Sequence, residues 1–204
     1  MATVFGRAWP PTLDCMSRIA ELCEELADAY EQKGQRVRGN LRPGLSRDEV
    51  ESKLAESGIA PPRELVDLYE WANGHKEPDY ERSVLFRDNA LLSLDEGIES
   101  RQYMLPSSLE EDLVDLTKAF PIAGFEGAFY AVSCGQQLHS PQLMNPVISV
   151  FEGVDLFYHS IETMLRTCVA WVSHPDWSLY MPQFDERQAW KQFNPNVKLA
   201  PDAI

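Results

Sequence analysis

Near the start of the chain, apolar residues recur at three- and four-residue steps. Met16, Ile19, Ala20, Cys23, Leu26, Ala27 and Tyr30 keep this spacing, which lines them up on one face of a helix. Thr12, after Pro10-Pro11, is the expected N-cap and Gly34 the expected stop. The basic, glycine-containing stretch 33–44 reads as a loop. Ser46-Arg47-Asp48-Glu49 has the form of a capping box with Val50 and Leu54 behind it, and predicts a short helix ending at Gly58. Pro61-Pro62 opens the next helix, because a first turn has no use for the missing N–H. Leu65, Leu68, Tyr69 and Ala72 are its buried stripe, and Asn73-Gly74 is its expected end.

The pattern then shortens. Residues 83–86 and Leu91-Leu92 read as strands around an Asp88-Asn89 turn, and a second capping box, Ser93-Leu94-Asp95-Glu96, opens a helix to about Tyr103. Residues 106–118 read either as a short helix or as an acidic loop. Beyond Lys118, the β-branched and aromatic runs 120–123, 128–133, 147–151 and 156–159 predict an antiparallel meander, with Gly124-Phe125-Glu126-Gly127 as one of its turns. Ser160 caps a last helix whose inward residues are Met164, Leu165, Cys168, Val169 and Val172, closed by Pro175. Trp177, Phe184, Trp190 and Phe193 in the tail are too large and apolar to dangle, so the tail is expected to fold back on the domain.

Helices, then consecutive strands, then a closing helix make an α+β fold: N-terminal helices, a central, mainly antiparallel sheet and a C-terminal helix. The 204 residues are 44% hydrophobic and 25% charged, enough for one sizeable core. No linker or repeat interrupts them, so a single domain is expected.

Charge narrows the partners. Eighteen Lys and Arg against 32 Asp and Glu leave a formal charge of −14, which argues against direct nucleic-acid binding, since that affinity comes from basic residues displacing counterions. Residues 41–120 hold eighteen of the acidic and nine of the basic residues, a local balance of −9. Such a field speeds encounter with a basic protein; it also serves solubility alone. Glu77, Asp79, Glu81, Glu110, Glu111 and Asp112 are the candidate partner-binding carboxylates, with Tyr80 and Tyr103 as aromatic anchors.

No motif for chemistry appears. Cys15, Cys23, Cys134 and Cys168 contain no C-x-x-C pair, and His75, His139, His159 and His174 have no metal-ligand spacing. Neither a phosphate loop nor a nucleophile elbow is present. Cys134 with His139 or His159 is the one conceivable nucleophile pair, but an acidic chain offers no electropositive setting for a thiolate, and the thiols read as core residues. No catalytic residue, metal or cofactor is expected. The opening residues lack a secretory pattern and no run of apolar residues is long enough to span a bilayer, so a cytoplasmic protein is expected and no membrane partner.

Two stretches carry a resemblance. Gly44-Leu45-Ser46, Glu49-Val50-Glu51, Leu54, Gly58-Ile59, Pro61-Pro62, Glu64-Leu65, Leu68-Tyr69, Trp71 and Asn73-Gly74 form the first; Leu91-Leu92-Ser93-Leu94-Asp95-Glu96, Phe120-Pro121-Ile122-Ala123 and Phe129-Tyr130-Ala131-Val132 form the second. In order and spacing they resemble the SUKH superfamily, in its Smi/Knr-like branch, with Phe120 where that pattern often has Trp. The resemblance covers residues 41–173 and implies a SUKH domain there, with 1–40 as an N-terminal helical extension and 174–204 as a C-terminal one. It implies an α+β domain without shared catalytic residues, in which Pro61, Asn73, Gly74 and Pro121 are architectural. Many bacterial members are immunity proteins that bind and neutralise toxins, often nucleases, of polymorphic or contact-dependent systems. Others act as regulatory or scaffold proteins for cellular partners, in cell-wall assembly or signalling. The resemblance therefore implies a non-enzymatic binding protein, of the first kind or the second, with a basic toxin domain as the expected partner.

Overall fold

The computed structural model describes residues 16–77, 85–86, 89–103, 115–125, 127–135, 145–151, 153–178, 185–195 and 197. Helix α1 (Arg18–Gln32) buries Ile19, Leu22, Cys23, Leu26, Ala27, Ala29 and Tyr30. Its N-cap is Ser17, whose hydroxyl accepts from the Ala20 N–H. The expected cap, Thr12, lies outside the described residues. Gly34, with φ +84°, ends the segment as anticipated.

The expected loop at 33–44 is a correction. It contains a 3₁₀ turn, Arg38–Asn40, and strand β1 (Leu41–Pro43). Arg38 reaches back to α1, pairing with Glu24 at 2.7 Å, Asp28 at 2.6 Å and Glu31 at 2.8 Å. That anchor holds β1 in place despite its poor strand composition.

Helix α2 (Arg47–Glu56) buries Val50 and Leu54. Ser46 caps it by accepting from the Glu49 N–H at 3.4 Å, so the serine half of the expected box is formed. Helix α3 (Arg63–Trp71) follows Pro62 and buries Leu65, Leu68 and Tyr69. Asn73-Gly74 does not sit beyond α3 as a cap. Ala72 is already extended, at φ −151° and ψ 141°, and Asn73-Gly74 belongs to strand β2 (Ala72–His75), antiparallel to β1.

This change of role has a packing cause. Asn73 Oδ1 accepts from the Leu94 N–H at 2.8 Å, and a Cβ on Gly74 would lie 2.3 Å from the Ser93 nitrogen. The pair fastens the start of helix α4 (Leu94–Ser100) against β2. The capping box expected there is complete: the Ser93 hydroxyl accepts from the Glu96 N–H and the Glu96 carboxylate from the Ser93 N–H. Gly97 lets α4 sit directly on the sheet, since a Cβ would meet Phe120 Cζ at 2.7 Å and the Pro121 oxygen at 2.8 Å. A 3₁₀ turn, Arg101–Tyr103, continues α4.

Strand β3 (Ala90–Leu91) follows a bridge between Phe86 and Asn89. Strands β4 (Ala119–Phe125), β5 (Ala128–Ser133), β6 (Val147–Val150) and β7 (Val154–Tyr158) complete an antiparallel sheet in the order β3-β4-β5-β6-β7. Gly124 and Phe125 are paired with Phe129 and Ala128, so the expected four-residue turn is shorter, closing between Phe125 and Ala128. One sheet face, with Phe120, Ile122, Tyr130, Val132 and Val147, joins the helices in the main core. Side chains alternate along a strand, and the other face carries a small cluster of Ala119, Ala131, Ile148 and Val150.

Helix α5 (Ile161–Ser173) opens on a second complete box between Ser160 and Thr163 and lies against α1. The tail returns as expected: helix α6 (Glu186–Phe193) buries Trp190, and Trp177 stacks edge-on against Tyr30. Phe184 lies outside the described residues. The fold is α+β.

Candidate interaction surface

Two side-chain contacts join α2 to α4 at the surface. Lys53 Nζ bonds Asp95 Oδ1 at 2.6 Å, and Arg101 donates to the Ser57 carbonyl at 2.7 Å, tying the ends of the two helices together. Because α2 buries only Val50 and Leu54, its polar stripe stays outside. Asp48, Glu49, Glu51 and Glu56 on α2, with Asp95, Glu96 and Glu99 on α4, are all exposed. These two acidic helix faces, joined by the Lys53–Asp95 pair, make up the acidic ridge.

Most cations near the ridge are engaged. Arg47 turns inward to Asp67 at 2.7 Å and Glu70 at 2.5 Å, and stands 4.0 Å from Glu51. Arg42 pairs with Glu96 at 3.3 Å. Burial works against the Glu96 charge, but hydrogen bonds from Ser93 and the Arg42 guanidinium outweigh it and hold this carboxyl below the usual range. Among the described residues, Asp48, Glu49, Glu56 and Glu99 have no cationic partner. Their field is directed at solvent, where it can attract a basic body.

Two of the expected interface residues fall in the described part. Tyr103 closes the α4 end of the ridge at 68% exposure. Glu77 is also exposed and is held by Asn40, whose side chain bonds both its N–H and its carbonyl. Arg42 connects the Glu77 end, donating to the Lys76 carbonyl at 3.4 Å while it pairs with Glu96 at the start of α4. Glu77 and Tyr103 thus mark opposite ends of α4. Asp79, Tyr80, Glu81, Glu110, Glu111 and Asp112 lie outside the described residues. The α2 carboxylates were not among the expected partner residues, because a capping box and helix dipole already account for acidic groups at a helix start. The signal for them was the polar stripe opposite Val50 and Leu54.

The conceivable nucleophile pair is not assembled. Cys134 Sγ donates to the Val132 carbonyl at 3.6 Å, and burial pushes the thiol up to about 12. His159 follows β7, two strands away across β6, or roughly 10 Å at ordinary strand spacing. His139 and Cys15 lie outside the described residues, whereas Cys23 and Cys168 are buried thiols. Among the described residues, no group of three or more metal-capable side chains occurs, and no helix is long and apolar enough to cross a membrane.

The chain matches no protein-family model and no curated protein.

Proposed function

We propose that this protein is a non-enzymatic binding domain of the SUKH type, and that it neutralises a basic toxin domain by covering that domain's substrate surface with the α2–α4 ridge. The observation that carries the reading is the row of exposed carboxylates without cationic partners, Asp48, Glu49, Glu56 and Glu99, ending at exposed Tyr103. Complementary charge raises association rates and rejects acidic competitors, while an exposed tyrosine supplies an anchor that buries large area at low entropic cost. The resemblance of residues 41–173 supports the family reading. So does the placement of its motif residues: Asn73 and Gly74 hold α4, and Pro121 underlies Gly97. Residues occupied with architecture leave binding to the surface.

The test is co-expression with whichever toxin-like domain the neighbouring genes encode, and a neighbourhood without one counts against the reading. The expected result is protection of the host cell and a complex whose affinity falls with salt. No protection, or association indifferent to salt, counts against the reading. Recovery of a housekeeping protein from the native host would favour the regulatory role instead.

A further inference from the structure

Among the described residues, strand β7 is an edge strand, hydrogen-bonded to β6 on one side only. Backbone groups of Phe157, which a β-bulge leaves without a partner on β6, and of His159, just beyond the strand, are nonetheless occupied. Trp190 Nε1 donates to the Phe157 carbonyl at 3.0 Å, and Asn194 Oδ1 accepts from the His159 N–H at 3.1 Å. The carbonyl of one residue and the N–H two positions later are the pair that a neighbouring strand would engage. Trp190 and Asn194 are four residues apart and so share one face at the end of α6. Helix α6 therefore offers β7 a donor and an acceptor at the spacing of a strand.

The fit is built in. Trp190 is 2% exposed and Asn194 fully buried. Asn194 Nδ2 donates to Thr167 Oγ1 at 3.2 Å, Trp171 Nε1 donates to the Glu186 carbonyl at 3.0 Å, and Trp190 meets the Phe157 ring at 6.3 Å between centroids. These contacts fix α6 on α5 and aim its two polar groups at the strand. The other part of β7 carries exposed Asp155, a charge that discourages edge pairing.

We infer that α6 is an intramolecular stand-in for a sixth strand, and that its Trp190 and Asn194 bonds keep β7 from pairing with β7 of a second copy of this chain. An unguarded edge is a template for strand addition. Here two side chains remove the template without adding a strand. The inference is independent of the binding function proposed above.

The experiment uses the full chain carrying Trp190→Phe and Asn194→Ala together, which removes the donor and the acceptor. Sedimentation velocity from micromolar to near-millimolar concentration should show self-association at least about tenfold tighter than wild type. Amide exchange at His159 should quicken in the dilute monomer and slow again in the dimer. A folded double variant as monomeric as wild type overturns the inference, and so does association that leaves His159 unprotected. If the double variant does not fold, Trp190→Phe alone decides by the same concentration series: tighter association supports the inference, and wild-type behaviour overturns it.

Discussion

The carboxylate of Glu64, on α3, accepts a hydrogen bond from the backbone N–H of Glu162 at 3.3 Å, so the first turn of α5 is capped by a residue almost a hundred positions earlier in the chain. Burial raises the Glu64 pKa, and the N–H groups of Glu162 and Ile161 offset part of that rise. A carboxyl with a raised pKa binds its proton more tightly in the folded chain, so its contribution to stability is full below the unfolded value and is lost as pH rises through the folded one. Glu64→Gln keeps an acceptor without the charge. It should be more stable than wild type at neutral pH, the two converging below the ordinary glutamate pKa. Glu64→Ala should lose the cap, about 1 kcal/mol. Urea denaturation of both variants across pH checks the pair.

Tyr69 is fully buried, its hydroxyl has no partner among the described residues, and its ring stands edge-on to Phe120 at 6.1 Å. An orphaned buried hydroxyl carries a desolvation cost that no bond returns. Tyr69→Phe keeps the ring and should stabilise the protein by about 1 kcal/mol. Equal or lower stability on denaturation would show that the hydroxyl has a partner, such as a buried water.

Gly58 and Gly74 have nearly the same φ, +78° and +80°, but differ in surroundings. A Cβ at Gly58 meets nothing within 4 Å, whereas at Gly74 it would lie 2.3 Å from the Ser93 nitrogen. Gly58→Ala should cost about 1 kcal/mol, the left-handed conformation alone. Gly74→Ala adds a clash with backbone and should cost about 3 kcal/mol or more. Thermal melts of the two variants separate backbone strain from the close approach of β2 to α4.

Burial lowers the His159 pKa, and its Nε2 is buried without a hydrogen-bond partner among the described residues. The unfolded chain therefore binds this proton more readily, so the stabilising contribution is present above the unfolded histidine value and is lost as pH falls through the folded one. The His159 contribution should decline from pH 7 toward pH 5, opposite in sign to that of Glu64. His159→Gln should flatten that slope, as read from denaturation midpoints at each pH.

Glu56 and Glu99 lie in the last turns of α2 and α4, where a positive charge suits the helix dipole. Glu56→Lys with Glu99→Lys should leave stability within about 0.5 kcal/mol per site. The same variant should slow association with a toxin-like domain encoded by a neighbouring gene and shrink its salt dependence, measured by stopped flow. An unchanged rate would place the interface elsewhere.

The short-range signals in the chain were sufficient for helices α1 to α5, whereas α6 was not anticipated. Pro61-Pro62, the Ser93 and Ser160 caps and the apolar stripes of α1 and α5 mark elements whose hydrogen bonds close within a few residues. Strand β1 was not legible: it has three residues, one of them Pro43, and it exists because Arg38 is held by α1 and β2 lies alongside. Asn73-Gly74 misled for a related reason. A helix-ending dipeptide also suits a strand that must touch another backbone, and only the position of Ser93 decides between the two uses.

Candidate function divides in the same way. Acidic residues crowd 41–120 in the sequence, but the ridge exists because Lys53 reaches Asp95 and Arg101 reaches Ser57, contacts between segments some forty residues apart. Charge sign, helices α1 to α5 and the antiparallel meander were determined by the sequence alone, since each depends on composition or on neighbours within a turn or a hairpin. Which carboxylates remain without a cation, which glycines touch backbone and what covers the edge of β7 were decided by the tertiary structure. Those properties belong to pairs of residues that the chain brings together only when it folds.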